Sequence, residues 1–214
     1  MHWLGRHAGD PTSPHRQFAS TRKCISSAAP GGKIVDVLNV RINDEAYRAL
    51  GSAGLSSVAP SELAAGLREL LAWGLDQRGD VLVFGGYSGW AGEPPGRYED
   101  LTGWECAVTS FHLEDRVPVH VDHVDAVPVI SEQDQLVLLG QGTRFAMEVV
   151  RLARALADPV PIRCIVSTNN TNGTFRLHRA RTGESLLMSD LDTYTDDKIV
   201  TVDSGPSNLG GTPW

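Results

Sequence analysis

Residues 111–115, FHLED, place His112, Glu114 and Asp115 at the end of an apolar run, with Glu105 a short distance upstream. An imidazole changes charge near neutral pH, and a neighbouring carboxylate fixes its tautomer and orientation. His112 with Glu105 or Glu114 is therefore a candidate acid–base group. No nucleophile accompanies it. The chain has no GxSxG and no HExxH, and Gly86-Tyr87-Ser88-Gly89 is one residue short of a nucleophile elbow.

Two polar loops offer a different chemistry. Tyr87, Trp90, Tyr98 and Trp104 place four of the chain's 14 aromatic residues in one Gly- and Pro-rich stretch, 85–105, which also carries Arg97, Glu99, Asp100 and Glu105. Rings that anchor and carboxylates that steer suit a basic protein partner or a polar small ligand. The stretch 168–174 carries Asn169, Asn170 and Asn172 among threonines. Such side chains satisfy a turn's own backbone, and here they exceed what a short turn needs. The expectation is a binding or inhibitor-type module that presents loop 85–105 next to loop 168–174, with Trp90 and Asn170 as neighbours. A small enzyme built on His112, with Asn169 and Asn170 orienting substrate, is the alternative.

VHVDHVDAV supplies His120, Asp122, His123 and Asp125, which are ligand types for a divalent ion. His120-x-Asp122-His123 resembles the tail of the HxHxDH motif of the metallo-β-lactamase superfamily. The family's leading His falls at Pro118 and the expected glycine-rich helix start is missing, so the chain is not assigned there. On a strand, His120 and Asp122 share a face and His123 points away. A site at His120, Asp122 and His123 remains the weakest alternative, and no metal is assigned. No cofactor is assigned either: GGYSGW lacks the GxxxxGK[ST] pattern, and no helix follows it to face a phosphate.

The elements that must position these groups follow from pattern. The 214 residues, 41% hydrophobic and 21% charged, suit one globular domain, expected over 33–204 between flexible segments 1–32 and 205–214. Net charge −7 argues against a nucleic-acid partner, whose phosphates are held by clustered Lys and Arg. No apolar run is long enough for a membrane span. Three cysteines, Cys24, Cys106 and Cys164, make no CxxC pair, which suggests buried thiols and a reducing, cytoplasmic setting. A composition rich in Ala, Gly and Arg and poor in Lys suits a bacterial, GC-rich genome.

Periodicity predicts a strand within 33–42, a short helix capped by Asn43 or Asp44, and a helix over 61–77 capped by Ser61 and ended by Gly79. Strands follow at 80–86 and 106–113, with two proline-marked strands at 117–121 and 126–130. A helix over 144–157 capped by Thr143 leads into a hairpin of 162–168 and 174–179, and a last strand covers 198–203. The fold expected is of α/β type, or α+β: one mixed sheet of about six or seven strands with two main helices and one or two parallel crossovers. The two helix–strand–loop units are offset by roughly 82 residues.

Overall fold

A computed structural model describes residues 38–59, 61–86 and 98–204. It is a mixed α/β fold. The main sheet has five strands in the order β1 (Asn39–Ile42), β9 (Lys198–Asp203), β7 (Ile162–Thr168), β8 (Gly173–Arg179) and β4 (Phe111–His112). Two hairpins stand apart from it: β2 (Leu75–Arg78) with β3 (Val81–Phe84), and β5 (Val121–Val124) with β6 (Val127–Ile130). Every strand pair among the described residues is antiparallel, so the expected parallel crossovers are corrected. The cause lies in β2 and β3, which pair with each other and never join the main sheet.

Helix α1 (Asp44–Leu50) is capped by Asn43, one of the two caps expected, whose Oδ1 accepts the Ala46 N–H at 3.0 Å. Helix α2 (Ala65–Trp73) is shorter than expected: it starts after Ala64 without a side-chain cap and ends at Gly74, so LDQR is strand β2. Helix α3 (Leu101–Thr109) replaces the first half of the strand predicted at 106–113. Asp100 caps it, accepting from Gly103 N at 2.7 Å. Trp104, Glu105, Cys106, Val108 and Thr109 are all buried, and a helix buried on nearly all sides loses the polar face that reveals its period.

Helix α4 (Glu132–Arg154) begins twelve residues before its predicted start, capped by Ser131 rather than Thr143. Gly140 and Gly142 conceal its first half, because glycine costs a helix about 1 kcal/mol relative to alanine. Both glycines are required by packing. A Cβ on Gly140 would lie 2.0 Å from the Val58 carbonyl oxygen, and one on Gly142 would lie 2.7 Å from Val166 Cγ1. Leu138, Leu139, Phe145, Ala146, Val149, Val150 and Ala153 press α4 onto one face of the main sheet, against Cys164, Val166, Phe175, Leu177, Val200 and Val202. A smaller cluster joins Val81, Val83, Trp104 and Val108. Strand β3 is thus buried on both faces, as expected, but between α3 and the main core rather than inside the main sheet.

Edge strand β4 covers only Thr174 and Phe175 of β8. Beyond it, α3 side chains complete the ladder. Thr109 Oγ1 accepts from Leu177 N at 2.9 Å, and Glu105 Oε2 accepts from Arg179 N at 2.9 Å. Free edge donors are thereby satisfied without another strand.

His178 lies on the sheet face opposite α4, 1% exposed. Its Nδ1 is 2.7 Å from the Arg179 carbonyl oxygen and so carries the proton, while Nε2 has no partner. Burial pushes its pKa below the ordinary value, and the Arg163 charge adds to that. The unfolded chain therefore takes up the proton first as pH falls. Stability due to the neutral ring is present above the unfolded value of about 6.5 and is lost as pH drops through it toward the folded pKa. Urea midpoints are expected to be flat above neutrality and to fall below pH about 6.5. His178→Asn, which keeps a donor near Nδ1, is expected to remove that fall. An unchanged fall in the variant assigns it to other groups.

Candidate functional site

Glu105 is not available for acid–base chemistry. It is fully buried, and its carboxylate accepts from Leu82 N at 2.7 Å, Arg179 N at 2.9 Å and the Arg181 guanidinium at 2.6 and 2.9 Å. This corrects its reading as a partner of His112. The sequence shows a carboxylate in a polar loop, whereas the fold closes it inside α3 as an internal anchor. Trp104 is corrected for the same reason: at 1% exposed it is core, not a surface ring. Cys106 and Cys164 are buried free thiols, as expected, and burial pushes the Cys106 pKa up to about 12 despite the nearby Arg176 charge. Neither is a nucleophile at neutral pH.

His112 and Glu114 do come together. His112 is the last residue of β4, its side chain 56% exposed, with Nδ1 3.3 Å from Glu114 Oε1. The chain turns through a short 3₁₀ segment, Leu113–Asp115, with Leu113 fully buried, and this returns the Glu114 carboxylate beneath the β7–β8 turn. There Glu114 Oε2 accepts the Gly173 N–H at 2.9 Å. One carboxylate thus ties β4 to the first residue of β8.

The turn over residues 169–172 is closed by Asn169 N–H donating to Asn172 O at 2.9 Å. Asn169 is taken up by the turn itself. Its Oδ1 accepts from Thr171 N, Thr171 Oγ1 and Asn172 N, and its Nδ2 donates to Asp197 at 2.7 Å. The Asn169 amide oxygen and one of its two N–H donors are thus engaged within the turn and with Asp197. Asn172 Nδ2 makes a longer bond, 3.3 Å, to Thr171 Oγ1. Asn170 is exposed, and its carbonyl accepts from Ile130 N, which ties the β5–β6 hairpin to the turn.

Tyr87, Trp90 and Arg97 lie outside the described residues, and with them the expected contact of Trp90 with Asn170. Tyr98 is half-buried and lines an open pocket of about 280 Å³ with Glu99, Asp100, Gly103, Ser185 and Leu186. That pocket lies past the C-terminal end of β8, whereas the 169–172 turn precedes its first residue. The two are separated by the length of the strand, roughly 20 Å at 3.3 Å per residue. The pocket formed by Tyr98, Glu99, Asp100 and Gly103 therefore shares no surface with the asparagine turn.

His120 Nε2 is 2.9 Å from Asp122 Oδ1, on an exposed hairpin. Among the described residues no group of three His, Cys, Asp or Glu side chains is placed to hold a metal ion. No described helix is long and apolar enough to cross a membrane.

The sequence does not single out Arg176 as a candidate, although a signal is present in the alternation of TFRLHR, which sets Thr174, Arg176 and His178 on one face and Phe175 and Leu177 on the other. A family model, described as the Uncharacterized protein PM0498 family, matches residues 42–210. No curated protein matches the chain, and no solved structure does.

Proposed function

The chain belongs to the Uncharacterized protein PM0498 family, and from its side chains we propose that it is a binding module. It would hold a polar small molecule, or a polar segment of a protein partner, where the 169–172 turn, His112 and Glu114 meet. The observation that carries this reading is the double use of one carboxylate, 2.9 Å from Gly173 N and 3.3 Å from His112 Nδ1. The bridge orders imidazole and turn before a ligand arrives, so binding loses less conformational entropy. The Nε2 edge of His112, the exposed Asn170 and the Ser167–Thr174 hydroxyls are left to make contacts. Cysteine usage and composition support the cytoplasm of a bacterium as its setting.

The test is an amide NMR titration of the ¹⁵N-labelled full chain with glucose, N-methylacetamide, acetate and inorganic phosphate. Saturable shifts are expected at His112, Asn170 and Gly173 for at least one compound. Affinity is expected to drop about tenfold or more in Glu114→Ala, equivalent to roughly 1.4 kcal/mol. Absence of saturable shifts there, with all four compounds, overturns the proposal.

The 3.3 Å contact also favours a second reading, an enzyme with His112 as acid–base group and Glu114, not Glu105, as its orienting carboxylate. A ligand that is turned over, with turnover lost but binding kept in His112→Gln, would select it.

A further inference from the structure

Register places the face of the main sheet opposite α4 in rows. His112, Thr174 and Ser167 form one row across β4, β8 and β7, and Arg176, Ile165 and Thr201 form the next across β8, β7 and β9. Directly paired antiparallel residues have Cβ atoms about 5 Å apart, so each row is a set of neighbours. Three arginines on β7, on β8 or just beyond it have carboxylate partners: Arg163 with Asp203 at 2.7 Å, Arg179 with Asp80 at 3.6 Å and Arg181 with Glu105 at 2.6 Å. Arg176, half-buried, has none among the described residues. Its guanidinium donates to Thr174 Oγ1 at 2.9 Å and leaves its other N–H groups over.

The hydroxyls add to this surplus. Ser167 Oγ and Thr174 Oγ1 are 2.8 Å apart, so one hydroxyl proton is shared between them and the other remains to be donated. The one carboxylate beside this row, Glu114, is committed to His112 and the Gly173 N–H, and among the described residues none pairs with Arg176, so a cation with spare N–H groups beside a spare hydroxyl proton lacks an acceptor carrying negative charge. The planar guanidinium fork matches carboxylate and phosphate oxygens.

We infer that Arg176 and the Ser167–Thr174 pair form a subsite for an oxyanion, the carboxylate or phosphate group of whatever ligand occupies the surface beside His112. The inference rests on the binding-module reading and specifies its ligand class.

The experiment follows the Arg176 side-chain N–H and Thr174 amide signals of the full chain at constant ionic strength. Inorganic phosphate and acetate are titrated separately, with chloride as the reference. Saturable shifts with phosphate or acetate are expected, and whichever of the two binds more tightly names the group. Affinity is expected to fall at least about tenfold in Arg176→Gln, to fall less in Arg176→Lys, which keeps charge but loses the fork, and to be unchanged in Arg151→Gln on the exposed side of α4. Thr174→Val, close in shape, is expected to weaken binding several-fold and keeps the test decisive should Arg176→Gln misfold. Shifts that track chloride, or equal affinity in Arg176→Gln, overturn the subsite. If glucose or N-methylacetamide still saturates at Asn170 and Gly173 while both anions fail at Arg176, the subsite falls and the binding reading stands. If all four compounds fail, both fall.

Discussion

Glu105→Ala is expected to destabilise the protein by about 3–5 kcal/mol, the range for removing one partner of a buried ion pair. The alanine would leave Arg181, whose side chain is 15% exposed, without its bidentate carboxylate, and would orphan the backbone N–H groups of Leu82 and Arg179. Those three donors come from β3, β8 and the segment after β8, so the variant loosens three pieces of the fold at once. Urea unfolding measures the effect as a lower midpoint at constant slope. Arg181→Met in the Glu105→Ala background is expected to cost much less than in wild type, because the cation it removes is already unpaired. A loss below about 1 kcal/mol for Glu105→Ala would mean that the pair is solvated and that its reading as an internal anchor is wrong.

Phe145→Ala is expected to cost about 3–5 kcal/mol as well, through lost burial and the cavity left behind. The ring is fully buried and meets Phe84 at 6.0 Å, Phe111 at 5.7 Å and Phe175 at 4.8 Å between centroids. Through these rings α4 touches β3, β4 and β8 at one point. Strand β4 has only two residues, and its grip on the sheet depends on Phe111, which stacks on Phe175 at 5.2 Å. Loss of Phe145 should therefore loosen His112 as well as the core. Urea unfolding reads the first effect, and faster amide exchange in β4 than in β7 reads the second. Phe145→Leu, which keeps most of the volume, is expected to lose clearly less. Equal losses for Ala and Leu would show that aromatic packing, not volume, governs the site.

The hairpin of β7 and β8 was legible because its residues alternate apolar and polar on both sides of an Asn-rich turn, and because that alternation meets a buried core on one face. β9 and the Asn43 cap were legible for similarly local reasons. The errors have physical causes. β2 reads LDQR, with no β-branched residue, and appeared to prolong the preceding helix. The glycines of α4 argue against a helix until Val58 is seen packed against Gly140. In α3, Trp104, Cys106 and Val108 alternate like a strand, yet Trp104 with Val108 and Glu105 with Thr109 are helical neighbours four apart, both pairs buried.

The candidate site divides along the same line. His112 with Glu114 is a pairing across two residues that local sequence can suggest. Whether Glu105 faces solvent or Arg181, and whether Arg176 finds a carboxylate, depends on contacts 76 residues apart or on their absence. Such information resides in topology and not in any window of sequence.

Glu114 joins His112 to the β7–β8 turn, and the Gly173 amide reports that joint most directly. Its hydrogen exchange and chemical shift, compared between wild type and Glu114→Ala, are the decisive measurement. The predicted result is a protected Gly173 amide whose exchange accelerates sharply in the variant, with the His112 signals moving alongside it and the amides of β9 unaffected. Exchange at Gly173 that is already fast in wild type, or unchanged in the variant, would contradict it.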